Sequence, residues 1–123
     1  MLAAAAGEPY HIAYGGRCDM QYAGDVAHSL TAALDVPFRG AQAFTLRGNA
    51  VGMAEVVAAI ERAAPESAGQ ITFEAQSLGY PEAMDGSAVR TLLGELPITP
   101  LAEGVAETIT VFRRALAKGL IVP

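Results

Sequence analysis

The feature that most constrains the fold is an amphipathic helical pattern near the C-terminus. Apolar residues recur there at spacings of four and three, at Leu101, Val105, Ile109, Phe112 and Leu116. Thr99 suits the N-cap of this helix, Pro100 its first turn and Gly119 its end. A helix with so long an apolar face must bury it, so we expect it to pack across the core.

Shorter elements precede this helix and are separated by glycine and proline. Helical patterns cover 53–64 and 87–93, another follows an N-cap at Asp25, and Leu2 to Ala6 is typical of the end of a helix. Strands are predicted at 10–14, 43–46 and 71–75. We expect the Asp25 helix to face the core through Val26, Ala27, Leu30, Ala33 and Leu34. The alternation predicts an α/β fold with three or four helices and a few short strands.

Composition adds an expectation about partners. The chain has 123 residues, which fits one small domain over 1–123, and 52% of them are hydrophobic. A domain of this size buries only about two-thirds of its unfolded surface. We therefore expect apolar surface to be covered by another copy or by a missing N-terminal part of a longer polypeptide. The helical pattern that already runs at residue 2 favours the longer polypeptide.

Charge and cysteine content exclude several classes of function. The net charge is −5, and the eight basic residues form no stripe that would neutralise phosphates, which argues against nucleic-acid binding. No apolar run is long enough to cross a membrane, and the N-terminus does not resemble a signal peptide. A single cysteine cannot form an internal disulfide. These features predict a cytoplasmic protein.

The stretch CDMQYAGDVAH, residues 18–28, gathers groups that could carry chemistry. Side chains of the types that bind metals occur in this stretch and shortly before it, at His11, Cys18, Asp19, Asp25 and His28. They lack the spacing of a zinc site, so we expect no metal there. Cys18 with a histidine is a weak candidate nucleophile, and Asp19 with Asp25 a weak carboxylate pair. A helix cap at Asp25 and a surface histidine at His28 explain most of the pattern.

The order of segments resembles the C-terminal part of extended short-chain dehydrogenases of the NAD-dependent epimerase/dehydratase family. QYAGDVAHSL is similar to the family's "V-x-D-V-A" helix start, followed by a strand and helix like AFTLRG and MAEVVAAIERAAP. The stretch MDGSAVRTLLGELPITPLAEGVAETITVFR resembles the family's closing segment. Together these segments run from about residue 9 to 118.

The resemblance covers only the last third of the family's usual length. It implies an NAD or NADP cofactor for the full-length enzyme and none bound by this chain alone, because the Rossmann domain with its glycine-rich loop is missing. The catalytic Tyr-x-x-x-Lys pair is also missing. The positions four residues after the four tyrosines hold Tyr14, Cys18, Val26 and Met84. We therefore expect no catalytic residue and a fragment that is inactive alone.

By the same resemblance, this chain is the part that binds a small, sugar-like substrate. The expected pocket residues are Arg17, Cys18, Met20, Tyr22 and Arg90. Cys18 stands where the family often has an arginine, and residues 71–84 contain no arginine, which argues against a nucleotide sugar. Two alternatives stay open: a free-standing α/β module that binds a ligand or partner, and a metal or thiol enzyme built on Cys18 and His28.

Overall fold

The computed structural model describes all 123 residues and has a mixed α/β fold. The α-helices are α1 (Leu2–Ala6), α2 (Ala23–Leu34), α3 (Met53–Ala63), α4 (Ser87–Leu93) and α5 (Leu101–Ala117). The strands are β1 (Tyr10–Ile12), β2 (Arg17–Met20), β3 (Asn49–Gly52) and β4 (Ile71–Phe73), and a single 3₁₀ turn covers Pro65–Ser67. There are five α-helices rather than three or four, because the alanine-rich segment Leu2–Ala6 counts as a helix of its own.

The core lies where α1 and α3 pack against α5. The apolar face predicted for the last helix points inward, with Val105 and Ile109 each 1% exposed. The face predicted for α3 is also buried, at Met53, Val56, Val57, Ile60 and Ala64. Both predictions are confirmed. A helix that packs on one side buries every third or fourth residue.

Two small sheets flank this core. β1 pairs with β4 in parallel, from Tyr10 opposite Ile71 to Ile12 opposite Phe73. β2 pairs with β3 in antiparallel, from Arg17 opposite Gly52 to Met20 opposite Asn49. The second sheet leads directly into α3, and β2 is followed at once by α2. It therefore sets where both helices begin.

The prediction that α2 buries its apolar residues in the core was wrong. Leu30 is 65% exposed and Leu34 is 82% exposed, whereas Ser29 is buried. The helix lies beside α4 at the edge of the molecule, so its leucines find no core to enter. Leu30 borders an open groove instead.

The prediction of a strand at 43–46 is also wrong. The strand in this part of the chain is β3, which begins at Asn49. Residues 37–48 contain no helix or strand. Burial nevertheless alternates there, because Phe44 and Leu46 are half-buried while Ala43 and Thr45 are exposed. The segment has the side-chain alternation of a strand and lacks a hydrogen-bonded neighbour, without which no sheet forms.

Candidate functional site

Asp19 on β2 fastens two loops to the end of its strand. Its Oδ1 accepts a hydrogen bond from the Gly48 N–H at 2.7 Å, and its Oδ2 accepts one from the Met84 N–H at 2.7 Å. The carboxylate thus joins a residue 29 positions away to one 65 positions away. Because both oxygens are engaged, Asp19 is a structural clamp that brings these two loops together.

Asp25 makes a second long-range clamp, so the prediction that it caps its own helix was wrong. The N-cap position of α2 is Tyr22, whose carbonyl accepts from the N–H groups of Asp25 and Val26 at 3.1 and 3.2 Å. The Asp25 carboxylate instead accepts from the Thr99 N–H at 2.6 Å and from the Thr99 hydroxyl at 2.7 Å. Thr99 is accordingly not the N-cap of α5; that position is Pro100.

The two clamps enclose a cleft of about 110 Å³ between α2, α4 and the loops at 46–48, 84–86 and 95–98. Its polar lining comes mainly from Gln21, Tyr22, Arg47, Asp85, Arg90 and Glu95. Its apolar lining comes mainly from Val26, Leu46, Val89, Leu96 and Ile98. A concave, partly apolar site with a few converging polar groups is the usual form of a small-molecule pocket.

Two guanidinium groups, Arg47 and Arg90, line the cleft together with the carboxylates of Asp25, Asp85 and Glu95. Arg90 Nε lies 4.0 Å from Glu95 Oε1, and both side chains are more than half exposed. The pKa of the Asp85 carboxyl is lowered, first by the hydrogen bonds from Ser87 and then by the charges of Arg90 and Arg47. Both arginines therefore act on the same part of the cleft. Guanidinium groups pair with carboxylates or phosphates, and in this cleft they face the carboxylates of Glu95 and Asp85.

Tyr22 forms one wall of the cleft, and two glycines leave room for its ring. A Cβ on Gly104 of α5 would stand 3.2 Å from the Tyr22 Cδ2, and one on Gly24 would stand 2.5 Å from its Cε1. The pKa of the Tyr22 hydroxyl is raised, first by hydrogen bonding toward the Glu107 carboxylate, then by burial and by the charges of Glu107 and Asp25. The phenol therefore stays protonated at neutral pH and acts as a donor toward Glu107 rather than as a base.

The structure brings only two of the five expected pocket residues into this cleft, Tyr22 and Arg90. Arg17 lies elsewhere: its Nη2 donates to the Ala50 carbonyl at 2.7 Å, and its guanidinium faces Glu55 and Glu82 at 3.8 and 3.7 Å.

Cys18 and Met20 point to the opposite side of β2 from Arg17 and pack against the core, since side chains alternate along a strand. Met20 and Tyr22 also line a smaller cleft of about 50 Å³ near Met1 and Leu101. Burial, followed by the charge of Asp19, raises the pKa of the Cys18 thiol. A half-buried, protonated thiol is poorly suited to act as a nucleophile.

Arg47 is one of the pocket residues that the sequence analysis missed, because it follows the segment predicted as a strand. The loop that contains Gly86 passes close to Arg47, since a Cβ at Gly86 would stand 3.0 Å from the Arg47 Cβ. One signal was available: Arg47 is the only charged residue between Arg39 and Glu55. An isolated cation in an uncharged stretch deserved to be a site candidate.

The alternative metal and thiol sites are not assembled. No three His, Cys, Asp or Glu side chains lie together as a metal would require. His11 on β1 hydrogen-bonds across to β4, through Nδ1 to the Thr72 hydroxyl at 2.8 Å and through Nε2 to Glu74 Oε1 at 3.1 Å. His28 is exposed on α2, as predicted, and neither histidine hydrogen-bonds Cys18.

No protein-family model matches the chain. No curated protein sequence matches it either. Among solved structures, it is similar to UDP-glucuronic acid 4-epimerase from Bacillus cereus in complex with UDP-glucuronic acid and NAD, with a TM-score of 0.71 at 19% identity. The similarity covers 92% of this chain and 38% of that chain.

A Tyr→Phe variant of the same enzyme, in complex with UDP-4-deoxy-4-fluoro-glucuronic acid and NAD, gives a TM-score of 0.70 at 20% identity and the same coverage. At such identities the similarity establishes the fold, which is that of part of an NAD-dependent epimerase. The chain spans less than two-fifths of the length of these enzymes. No helix of the chain is both long enough and apolar enough to cross a bilayer.

Proposed function

We propose that this chain is the substrate-binding part of an NAD(P)-dependent epimerase/dehydratase-like oxidoreductase. The observation that carries the proposal is the structural similarity over 92% of the chain to 38% of an epimerase bound to UDP-glucuronic acid and NAD. The cleft lined by Tyr22, Arg47 and Arg90 is the concave polar site in this part of the fold. It is where we place the substrate.

The cleft suits one anionic end of a substrate. Its volume of about 110 Å³ corresponds to on the order of eight water molecules, which is enough for a carboxylate or a phosphate with its neighbouring atoms. Arg47 and Arg90 supply guanidinium groups that Cys18 does not supply on β2, beside the carboxylates of Asp25, Asp85 and Glu95. The expectation against a nucleotide sugar is thereby weakened. A sugar that carries a carboxylate or a phosphate is the substrate class that we favour.

The residues present do not fit a dinucleotide cofactor. The chain has no glycine-rich loop between a strand and a helix, and the polar cleft is far smaller than a dinucleotide. Tyr22, with its raised pKa, has Val26 rather than a lysine four residues later. In this proposal the chain binds substrate and is inactive alone, and the rest of a longer enzyme supplies the NAD(P) site.

Titration of the purified chain with UDP-glucuronic acid, glucuronate and NAD, followed by NMR, tests the proposal. We expect weak saturable binding of UDP-glucuronic acid, with shifts centred on Tyr22, Arg47 and Arg90, and no saturable binding of NAD. Replacing both arginines, in Arg47→Ala with Arg90→Ala, should abolish the shifts. Arg114→Ala, on an exposed part of α5, is the matched control and should leave them unchanged. Binding that survives the double substitution would contradict the placement of the substrate.

Sequencing the gene upstream of the Met1 codon tests the second half of the proposal. We expect the reading frame to continue into a glycine-rich strand–helix segment and a Tyr-x-x-x-Lys pair. An in-frame stop codon directly upstream, with no start codon between, would contradict the idea of a longer enzyme. The free-standing module would then be the better explanation.

A second candidate, a module that binds a protein partner, is favoured by one observation. The chain exposes 7816 Å², whereas a compact monomer of its mass exposes about 6,200 Å². The additional surface includes large apolar side chains such as Leu30, Leu34 and Phe38. A surface of this kind is usually covered by another chain or domain.

A further inference from the structure

Asp85 and Gly86 form the one Asp-Gly pair of the chain, in the loop between β4 and α4. The other aspartates, Asp19, Asp25 and Asp35, are followed by methionine or valine. An aspartate can close a five-membered succinimide ring when the peptide nitrogen of the next residue attacks its carboxyl carbon. Glycine hinders this attack least, because it has no Cβ beside that nitrogen. The sequence therefore has a single position where the rearrangement is chemically easy.

The attacking nitrogen is free in the folded chain. The Gly86 N–H makes no hydrogen bond to another backbone group, and the hydrogen bonds that side chains accept at this turn come from Ser87 instead. Asp85 is exposed, so water reaches its carboxyl group and any ring that forms there. Neither burial nor backbone pairing of the nitrogen therefore protects this peptide.

Ser87 holds the carboxyl group that would be attacked. Its N–H donates to Asp85 Oδ1 at 2.9 Å, and its hydroxyl donates to Oδ2 at 2.9 Å. These two bonds are the first causes of the lowered pKa of the Asp85 carboxyl, so the group stays ionised. An ionised carboxylate is a poor electrophile, and ring closure also requires both oxygens to leave their donors. The hydrogen bonds from Ser87 therefore oppose the reaction.

The rearranged product would disturb the cleft. In ring closure, the Gly86 N–H proton and a carboxyl OH leave as water. When water then opens the ring at the Asp85 main-chain carbonyl, the product is isoaspartate, in which the Asp85 Cβ has entered the main chain. The loop has little room for it, since the Met84 N–H is bound to Asp19 Oδ2 at 2.7 Å and a Cβ on Gly86 would stand 3.0 Å from the Arg47 Cβ.

We propose that the Asp85–Gly86 peptide is the site at which this chain converts to isoaspartate, and that the two hydrogen bonds from Ser87 slow the conversion in the folded state. One water is lost and one regained, so the reaction needs no other reactant. The inference concerns the covalent chemistry of the chain and does not rest on the proposed function.

Peptide mapping of the aged chain tests the proposal. The purified chain is kept at mildly acidic pH, either folded or in guanidinium chloride, then digested and separated by chromatography with mass spectrometry. We expect isoaspartate at position 85, formed about tenfold or more faster in denaturant because both hydrogen bonds are lost. Asp35, which precedes a valine, should stay intact in both samples. No isoaspartate at position 85 in denaturant overturns the site, and equal rates in the two samples overturn the protection.

A substitution at Ser87 provides the specific check. Ser87→Ala removes the hydroxyl bond and keeps the N–H bond, so the folded chain should isomerise about two- to tenfold faster while its circular dichroism is retained. Ser77→Ala, an exposed change of the same type earlier in the loop, is the control and should leave the rate unchanged. All three chains should react equally fast in denaturant. A folded Ser87→Ala chain that isomerises at the unsubstituted rate would refute the role of Ser87, as would one whose gain in rate persists in denaturant.

Discussion

At the scale of single residues, the two aspartates of the CDMQYAGDVAH stretch act as connectors. Asp19 accepts two loop N–H groups, and Asp25 accepts both the N–H and the hydroxyl of Thr99. Each carboxylate exchanges hydrogen bonds with water for two short hydrogen bonds within the chain. The groups that donate these bonds would otherwise need another partner. The residues that appeared most reactive in the sequence thus hold the cleft in shape.

Replacing Asp19 by asparagine should destabilise the chain. The amide has a single acceptor oxygen, so its NH₂ would face the N–H of Gly48 or of Met84. We expect a loss of about 1–3 kcal/mol in the free energy of unfolding, measured by urea denaturation. Asp35→Asn, an exposed change of the same type at the end of α2, should cost far less. Equal losses for the two variants would show that Asp19 is not a clamp.

Cys18 should react slowly, and the effect should depend on pH. Its raised pKa keeps the thiol protonated in the folded chain at pH values where an unfolded thiol, with an ordinary value of 9.0, already ionises. The stability linked to this group is fully present below that value and is lost as the pH rises through the raised pKa. Iodoacetamide labelling just below pH 9.0 should therefore be slower in the native chain than in urea. Equal rates would contradict a protected thiol.

At the scale of elements, a close backbone approach holds the residue after the turn that follows β1 against the segment that follows β4. Gly15 lies between β1 and β2 and forms a parallel bridge to Ser77, with its N–H donating to the Gln76 carbonyl at 2.8 Å. A Cβ at Gly15 would stand 1.9 Å from the Glu74 carbonyl oxygen. Only a residue without a side chain lets these strands come this close.

Gly15→Ala should therefore be costly, by about 2–3 kcal/mol in the free energy of unfolding, because the obstructing atom belongs to the backbone. Gly52→Ala is the matched control. Its Cβ would meet only the end of the Glu55 side chain, at 3.3 Å from Oε2, so we expect a change within about 1 kcal/mol. Thermal or urea denaturation of both variants gives the comparison. An unchanged free energy of unfolding for Gly15→Ala would mean that the two backbone segments can move apart at no cost in stability.

At the scale of the whole molecule, the chain has one well-packed side and one open side. The packed side is α1, α3 and α5 with the sheets, where Ile60, Val105 and Ile109 are almost fully buried. The open side is α2, α4 and the segment between α2 and β3, where Leu30 and Leu34 remain exposed. This asymmetry is expected of a part whose surface is completed by another chain or by the rest of a longer one.

The elements that the sequence determined by itself are those that depend on near neighbours. The positions of α3, α4 and α5 follow to within about one or two residues from apolar spacing and from glycines at 94 and 119, because the hydrogen bonds and caps of a helix lie within a few residues. The resemblance of ordered segments likewise indicated the fold that the structural similarity supports.

Only the tertiary structure decided which distant groups meet. Asp25 finds Thr99 across 74 residues, and Arg47 enters the same cleft as Arg90. The segment 43–46 has a strand's alternation and no strand beside it, while Leu30 of α2 borders a groove instead of a core. Partner choice across such separations depends on the packing of the whole chain, and a strand or an apolar face exists in the final structure only where a partner reaches it.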